Sequence, residues 1–189
     1  MKIGLMGGTF DPPHIGHLLI AEQAKEQLQL DAVWFLPAKL PPHKQSTVTS
    51  AAKRLELVRA AVRDNQDFSV SEIEFERETK SYTFDTIREL KRRYPEHAFF
   101  FLIGADSLVS LGTWHRSEEL YKEIEFGAVA RPGSRYLIPE GARVTAVDMP
   151  LLEVSSTDIR QRVARGRSIR YLVPEPVRQL IKEWKLYAT

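Results

Sequence analysis

The chain has 189 residues, of which 43% are hydrophobic and 28% are charged, a composition typical of folded proteins rather than disordered or fibrous ones. It contains no cysteine, which excludes disulfide bonds, thiolate metal sites and a cysteine nucleophile. A formal net charge of +2 is too small to indicate nucleic-acid binding, and no apolar run is long enough to predict an export signal or a membrane span. We therefore expect a cytoplasmic protein with one domain, residues 1–189, that ends in a small helical segment.

Short apolar runs alternate with longer helical patterns along the chain, which is typical of βαβ units. The predicted strands are 2–7, 32–36, a segment within 68–75, 98–103, 126–130 and 143–147. The predicted helices are 15–30, 51–65, 83–94, 106–111, 117–125, 156–165 and 176–185. Together they predict an α/β fold, a Rossmann-like parallel sheet flanked by helices. Residues 37–50 form a long polar, proline-containing loop, and loops of that length usually serve a function.

A glycine-rich turn, residues 7–17, joins the first predicted strand to the first helix. Backbone amides at such a turn can face a phosphate. His14 and His17 are three residues apart at the start of the helix, so both rings project from the same side and can donate to one anion. Two other interpretations stay open: a tight turn with Asp11 helping to cap the helix and exposed histidines, or a zinc pair. Zinc is disfavoured because no glutamate follows His14 and no thiolate is available.

Residues 154–160 are a second candidate for phosphate binding. Ser155 and Asp158 have the spacing of a capping box, which predicts a helix start. Arg160 lies in the first turns of this helix, where it and the hydroxyls of Ser156 and Thr157 could hold a phosphate. Capping and phosphate binding are compatible roles.

Three further positions are candidates for ligand binding. Lys44, in the loop 37–50, could close over phosphates or simply be solvated, and Lys39 could share its role. Gly104 and Asp106 follow the buried strand 98–103, where doubly wound sheets bind ligands; Asp106 could accept hydrogen bonds from a ribose or merely cap a helix. Trp114 lies outside any periodic pattern and is either a stacking surface for an aromatic ring or a core residue.

The two phosphate-binding candidates resemble the two signatures of the nucleotidyltransferase superfamily. Residues 7–17 are similar to the first signature, whose paired histidines steady the nucleotide's phosphates during attack on its α-phosphorus. Residues 154–160 are similar to the second, with Val154 in place of the usual isoleucine. Residues 14–17 also match class I aminoacyl-tRNA synthetases, but the chain is short for one and lacks their lysine-methionine-serine-lysine-serine run.

Within the superfamily, nearly the whole chain is similar to nicotinate mononucleotide adenylyltransferases. In that family a threonine-rich helix start, like residues 81–86, and a tryptophan recognise the pyridine ring and its carboxylate. His115 departs from the pattern, because many relatives have tyrosine beside the tryptophan. Pantetheine-phosphate adenylyltransferases, cytidylyltransferases and a non-catalytic nucleotide sensor on the same fold remain alternatives.

The resemblance implies an enzyme of the nucleotidyltransferase type that transfers the adenylyl group of ATP to nicotinate mononucleotide. ATP and nicotinate mononucleotide are the expected partners, with no nucleic acid and no membrane, and a homo-oligomer stays open. Mg²⁺ is expected to arrive with ATP, since the sequence shows no clustered carboxylates for a protein metal site. The predicted catalytic residues are His14, His17, Lys44 and Arg160. The predicted ATP-binding residues are Gly7, Gly8, Thr9, Phe10, His17, Gly104, Asp106, Ser155, Ser156, Thr157 and Arg160. The predicted substrate-binding residues are Thr83, Trp114, His115 and Arg131.

Overall fold

A parallel β-sheet forms the centre of the computed structural model, which describes residues 1–42, 48–130, 137–150 and 152–188. Within these residues the strands are β1 (Lys2–Gly8), β2 (Ala32–Pro37), β3 (Phe68–Val70), β4 (Ala98–Ile103), β5 (Glu125–Ala130) and β6 (Val144–Asp148). Their order in the sheet is β3-β2-β1-β4-β5-β6, and every neighbouring pair is parallel. The predicted α/β fold with a Rossmann-like sheet is confirmed.

Helices connect the strands. They are α1 (Ile15–Gln27), α2 (Ala51–Val62), α3 (Thr83–Arg93), α4 (Ala105–Ser110), α5 (Ser117–Glu123), α6 (Ser156–Ala164) and α7 (Glu175–Glu183), with a short 3-10 helix at Leu111–Thr113. Each predicted helix is present, but α2 ends three residues, and α5 and α7 two residues, before the predicted bound. Helix α1 also ends three residues early. Gln29 adopts a left-handed φ of 53°, and the Leu30 amide donates to the Lys25 carbonyl at 2.9 Å, which closes the helix as a Schellman motif.

Both faces of the sheet are covered, because successive side chains of each strand point to opposite sides. On one face Leu5 and Phe101 pack with residues of α3, α4 and α5. On the other face Met6 and Leu102 pack with residues of α1 and α2. The helices that follow β1 and β4 therefore lie on opposite faces, although the two strands are neighbours. A crevice opens between them at the carboxyl ends of the strands.

The last two helices pack on α2 rather than on the sheet. Ile159 of α6 and Val177 and Ile181 of α7 form a third apolar cluster with Leu57 of α2. The start of α6 lies beside the turn after β1, where the Ser156 hydroxyl donates to the Pro12 carbonyl. The description of residues 1–189 as one domain ending in a small helical segment stays a prediction.

A single buried guanidinium ties the loops at the carboxyl edge together. Arg54 of α2 has 0% exposure and donates to four main-chain carbonyls. Its Nη1 binds the carbonyls of Thr9 and Ala38, each at 2.7 Å, while Nη2 binds Lys39 at 3.2 Å and Nε binds Thr49 at 3.3 Å. The turn after β1 and the described ends of the loop after β2 therefore share one anchor.

We expect Arg54→Met to lower the free energy of unfolding by about 3–5 kcal/mol, because it leaves several buried carbonyls without donors. Denaturant titration followed by circular dichroism measures the change. The matched control is Arg59→Met on the exposed side of α2, where the guanidinium pairs with Glu56 and Glu72. Exposed pairs contribute about 0–1 kcal/mol, so a similar loss in both variants would contradict the anchoring role.

Candidate active site

The carboxyl ends of β1 and β4 open into a cleft of about 580 Å³. Its walls come from the turn after β1, the start of α1, the loop after β2, the start of α3 and the segment after β4. This is the place where strand order reverses in the sheet, and ligands of open α/β folds bind there. The predicted site residues that line the cleft are Gly7, Gly8, Thr9, His14, His17, Thr83, Gly104, Asp106, Trp114 and His115.

Close packing explains the small residues of the turn. A Cβ at Gly7 would lie 2.8 Å from Cζ of Phe101, and one at Gly8 would lie 2.9 Å from Cζ of Phe10. By contrast, a Cβ at Gly104 would meet nothing within 4 Å, so this glycine leaves open space at the cleft. Phe10 is buried beneath the turn, and its ring packs edge-on against His17 with 4.9 Å between centroids. Its ring therefore supports the turn, and its role as an ATP contact stays a prediction.

The two histidines form a stacked pair at the start of α1. Their ring centroids are 3.7 Å apart with an interplanar angle of 26°. The His14 amide donates to Nδ1 of His17 at 3.1 Å, so Nδ1 is an acceptor and the neutral ring carries its proton on Nε2. His14 is only 7% exposed, and its Nδ1 has no hydrogen-bond partner among the residues that the structure describes. One wall of the cleft thus carries a donor at His17 and an unsatisfied nitrogen at His14.

Burial keeps both rings neutral. It lowers the pKa of His14 from 6.5 to about 4. Burial, followed by the neighbouring His14, lowers the pKa of His17 well below 6.5. A bound triphosphate would act in the opposite direction, since an anion close to an imidazole favours its charged form. The pair is therefore suited to take up protons when a nucleotide binds.

The start of α6 has the predicted cap. The Ser155 hydroxyl accepts a hydrogen bond from the Asp158 amide at 3.1 Å. That bond satisfies one of the free amides at the start of the helix, as the capping-box spacing indicated. The predicted helix start at Ser156 is confirmed.

The first turns of α6 dock onto the turn after β1. Ser156 Oγ donates to the Pro12 carbonyl at 2.8 Å, and Arg160 Nη1 donates to the Asp11 carbonyl at 2.8 Å. Arg160 Nη2 also donates to Thr157 Oγ1 at 3.3 Å. Among the described residues, α6 supplies none of the cleft lining. The two signatures therefore meet through hydrogen bonds from side chains of α6 to main-chain carbonyls of the turn, and phosphate contacts by α6 stay a prediction.

Aromatic side chains lie on the other side of the cleft. The Tyr82 ring stacks on His115 with 4.2 Å between centroids and an interplanar angle of 26°. Trp114 meets Phe101 edge-on at 5.9 Å and is half-buried, so it both packs on the core and faces the cleft. Helix α3 begins at Thr83 without a side-chain cap. Aromatic surface and helix amides are thus available on the same side.

Sequence reasoning did not single out Glu74, which also lines the cleft. Its side chain is 7% exposed, Oε1 accepts from the Thr86 hydroxyl at 2.9 Å, and Oε2 has no hydrogen-bond partner within the described part of the chain. Arg77 Nη2 donates to the same hydroxyl at 2.6 Å. Burial raises the pKa of Glu74. In the sequence, the position of Glu74 between the apolar residues Ile73 and Phe75 was the feature that could have indicated a buried carboxylate.

The remaining predicted residues do not meet in the described cleft. Lys39 Nζ donates to the carbonyls of Phe75 at 3.3 Å and Arg77 at 3.1 Å, so it is engaged away from the lining. Lys44 and Arg131 lie outside the described residues. Asp11 does not cap α1; its carboxylate accepts hydrogen bonds from the Val48 and Thr49 amides instead.

Within the described residues, no group of three or more histidine or carboxylate side chains could hold a metal ion. In the same part of the chain, no helix is both long enough and apolar enough to cross a membrane.

Comparison with known proteins identifies the family. A cytidylyltransferase-like family model matches residues 5–162. A protein of Exiguobacterium sibiricum named "Probable nicotinate-nucleotide adenylyltransferase" is 98% identical over 189 residues, which is 100% of both chains. The nicotinate-nucleotide adenylyltransferase of Bacillus subtilis is 44% identical over 187 residues and covers 98% of both chains. The chain belongs to the nicotinate-nucleotide adenylyltransferase family. The family resemblance seen in the sequence signatures is confirmed.

Solved structures agree with the fold. The Plasmodium falciparum nicotinic acid mononucleotide adenylyltransferase complexed with NaAD has a TM-score of 0.84 at 18% identity. The match covers 98% of this chain and 97% of that one. Such a likeness extends over the sheet and the C-terminal helices alike, so the nucleotidyltransferase type of the Rossmann-like fold is confirmed.

We expect acid to destabilise the wild type more than the variant His14→Asn. The unfolded chain binds more protons than the folded one between pH 6.5 and pH 4, because the pKa of His14 is lowered on folding. The contribution of neutral His14 to the free energy of unfolding is present above pH 6.5 and decreases as the pH falls towards 4. About 2 kcal/mol of it is lost at pH 5. Urea unfolding at pH 7 and pH 5 measures it. The control His115→Asn changes an exposed ring, and equal acid losses in all three proteins would refute the assignment.

Proposed function

We propose that the protein transfers the adenylyl group of ATP to nicotinate mononucleotide in NAD biosynthesis. An oxygen of the mononucleotide's phosphate attacks the α-phosphorus of ATP, the bond from that phosphorus to the bridging oxygen breaks, and pyrophosphate leaves. Nicotinate adenine dinucleotide is the product. The observation that carries the proposal is one cleft with a stacked pair, His14 and His17, on one side and Trp114 beside the α3 start on the other.

The chemistry requires alignment and charge stabilisation rather than a strong base. The attacking phosphate is already an anion, so no proton has to be removed from it. His17 carries its proton on Nε2 because Nδ1 accepts from the His14 amide, and it can donate to the phosphates without reorganisation. Two rings stacked at 3.7 Å are held in fixed directions, which preserves the geometry of an in-line displacement.

The remaining ATP contacts follow the cleft wall. We assign the phosphates to the amides of Gly7, Gly8 and Thr9, where β1 passes into the turn before α1. Gly104 leaves space for the ribose, and the exposed carboxylate of Asp106 can accept from its hydroxyls. Phe10 supports the turn from below.

The remaining polar assignments are proposals as well. We assign Ser155, Ser156, Thr157 and Arg160 to the far end of the phosphate chain, through the contacts of α6 with the turn. Thr83 and His115 flank the pyridine subsite. Lys44 and Arg131 are proposed to contact phosphates and pyridine substrate respectively.

Nucleotidyltransferases generally use a divalent metal ion with ATP. The described residues of this chain offer isolated carboxylates at the cleft, Asp106 and Glu74, rather than a cluster. Isolated oxygens fit an ion whose ligands come mainly from the phosphates and water, and we propose Mg²⁺ in that role. When bound, it would neutralise part of the phosphate charge.

Pyrophosphate release tests the function directly. The purified protein is incubated with ATP or CTP and with a panel of acceptors: nicotinate mononucleotide, nicotinamide mononucleotide and phosphopantetheine. We expect release with ATP and nicotinate mononucleotide. Preference for CTP or phosphopantetheine would reassign the enzyme within the superfamily, and no release with any pair would indicate a nucleotide sensor.

We expect His14→Ala and His17→Ala each to lower kcat by roughly 10²–10³-fold, as for loss of one preorganised donor to the transition state. The KM for ATP should change far less. Steady-state pyrophosphate release measures both constants. His97→Ala removes a ring that packs on Tyr94 outside the cleft lining and serves as the control. Near-normal kcat in either cleft variant would overturn the catalytic assignment.

We expect the enzyme to prefer nicotinate mononucleotide over its amide by at least about tenfold in kcat/KM. The first amides of α3 favour a carboxylate, and an amide NH₂ facing them would leave donors unpaired at a cost of about 1–3 kcal/mol. Parallel assays of the two mononucleotides measure the ratio. Trp114→Ala should weaken both pyridine substrates while Trp34→Ala, a core change, should spare their KM. A preference for the amide would refute the carboxylate subsite but not adenylyl transfer.

A further inference from the structure

The C-terminal turn reaches back to the glycine-rich turn. The Tyr187 hydroxyl donates to Oδ1 of Asp11 at 2.7 Å, across 176 positions of the sequence. Tyr187 adopts a left-handed φ of 61°, which non-glycine residues seldom do. Its ring packs beside Trp184 and Leu186 against the apolar cluster of α6 and α7. The phenol is therefore held at a defined point next to the turn.

The importance of this contact follows from the burial and the other hydrogen bonds of Asp11. Its side chain is 3% exposed, and Oδ2 accepts from the amides of Val48 at 3.0 Å and Thr49 at 3.3 Å. The Thr49 hydroxyl donates in turn to the Tyr187 oxygen at 3.2 Å. With Tyr187 in place, both carboxylate oxygens have donors. Without it, one oxygen of a buried carboxylate would lose its donor, which is costly away from water.

The backbone of the same aspartate holds Arg160. Its carbonyl accepts from Arg160 Nη1 at 2.8 Å, so the direction of the guanidinium depends on how residue 11 is oriented. Arg160 is also close enough to lower the pKa of Tyr187, although burial outweighs it and raises that pKa overall. The phenol therefore stays protonated and remains a donor under assay conditions.

We propose that Tyr187 is a positioning residue for adenylyl transfer: it fixes Asp11, and Asp11 directs Arg160 towards the phosphates. The inference rests on the proposed function and adds a residue from the C-terminal turn to its machinery. Tyr187 itself touches neither substrate. Its contribution is the geometry of the guanidinium, whose planar fork binds phosphate only in the correct orientation.

The test compares two tyrosines that both adopt a left-handed backbone conformation. Tyr187→Phe keeps the ring and removes the hydroxyl, and we expect kcat to fall roughly tenfold with the KM for nicotinate mononucleotide within about twofold, since the pyridine subsite is untouched. Tyr171→Phe is the matched control: Tyr171 has a φ of 66° and is 81% exposed, so kcat should stay at the wild-type value. Equal kcat in the wild type and Tyr187→Phe would overturn the inference.

A double-mutant cycle separates positioning from general support of the fold. The kcat losses of Tyr187→Phe and Arg160→Lys should be strongly non-additive, because both act through one guanidinium, while Tyr187→Phe and Trp114→Ala should be additive. Additive losses with Arg160→Lys would refute the inference. Asp11→Asn is a second route to the same contact, and it should not add to the loss of Tyr187→Phe. An inactive wild type would instead refute the proposed function, so the two failures are distinguishable.

Discussion

The buried guanidinium of Arg54 is the contact on which the site depends. It joins Thr9, in the turn after β1, to Ala38 and Thr49 at the two described ends of the loop after β2. Burial lowers the pKa of Arg54, and the carboxylate of Asp11 is the largest opposing influence. Buried Arg54 and buried Asp11 thus both bind the main chain of the loop after β2. Because Arg54 binds main-chain carbonyls, its hydrogen bonds do not depend on which side chains the loops carry at those positions.

The two sides of the cleft that these loops border differ in chemistry. The side near β1 carries amides and stacked imidazoles whose pKa values are lowered by burial, a surface suited to an anion such as phosphate. The side near α3 presents aromatic rings and helix amides suited to a flat, anionic ring. Both sides lie at the carboxyl ends of adjacent strands, β1 and β4, so their spacing is set by a rigid sheet rather than by loops.

Local sequence patterns predicted what local forces determine. The apolar run of β4 matched the structure at both ends, and the cap of α6 was readable from the spacing of Ser155 and Asp158. The end of α1 was missed because Gln29 adopts a left-handed conformation without the usual glycine signal.

Contacts between distant segments were beyond local patterns. Arg54 lies on the helical stripe of Leu57 and Val58, which was a readable sign of burial, but its partners are set by the tertiary fold. The position of Glu74 in the cleft and the contact of Tyr187 with Asp11 depend on segments that are distant in the sequence. The histidine pair was identified as a motif, whereas its stacking and its neutrality required the coordinates.

The long separation between Asp11 and Tyr187 has a consequence for biosynthesis. After the ribosome has added Asp11, it must add another 176 residues, the last of them Tyr187, before the hydroxyl that donates to the Asp11 carboxylate is present. Until then the nascent chain can pair the strands of its sheet, but Oδ1 of Asp11 in the glycine-rich turn lacks the Tyr187 donor. Contacts with such separation form late, because chain closure has to precede them. A translation product that stops before Tyr187 would therefore carry both signatures and a nearly complete fold, yet present an unfinished site.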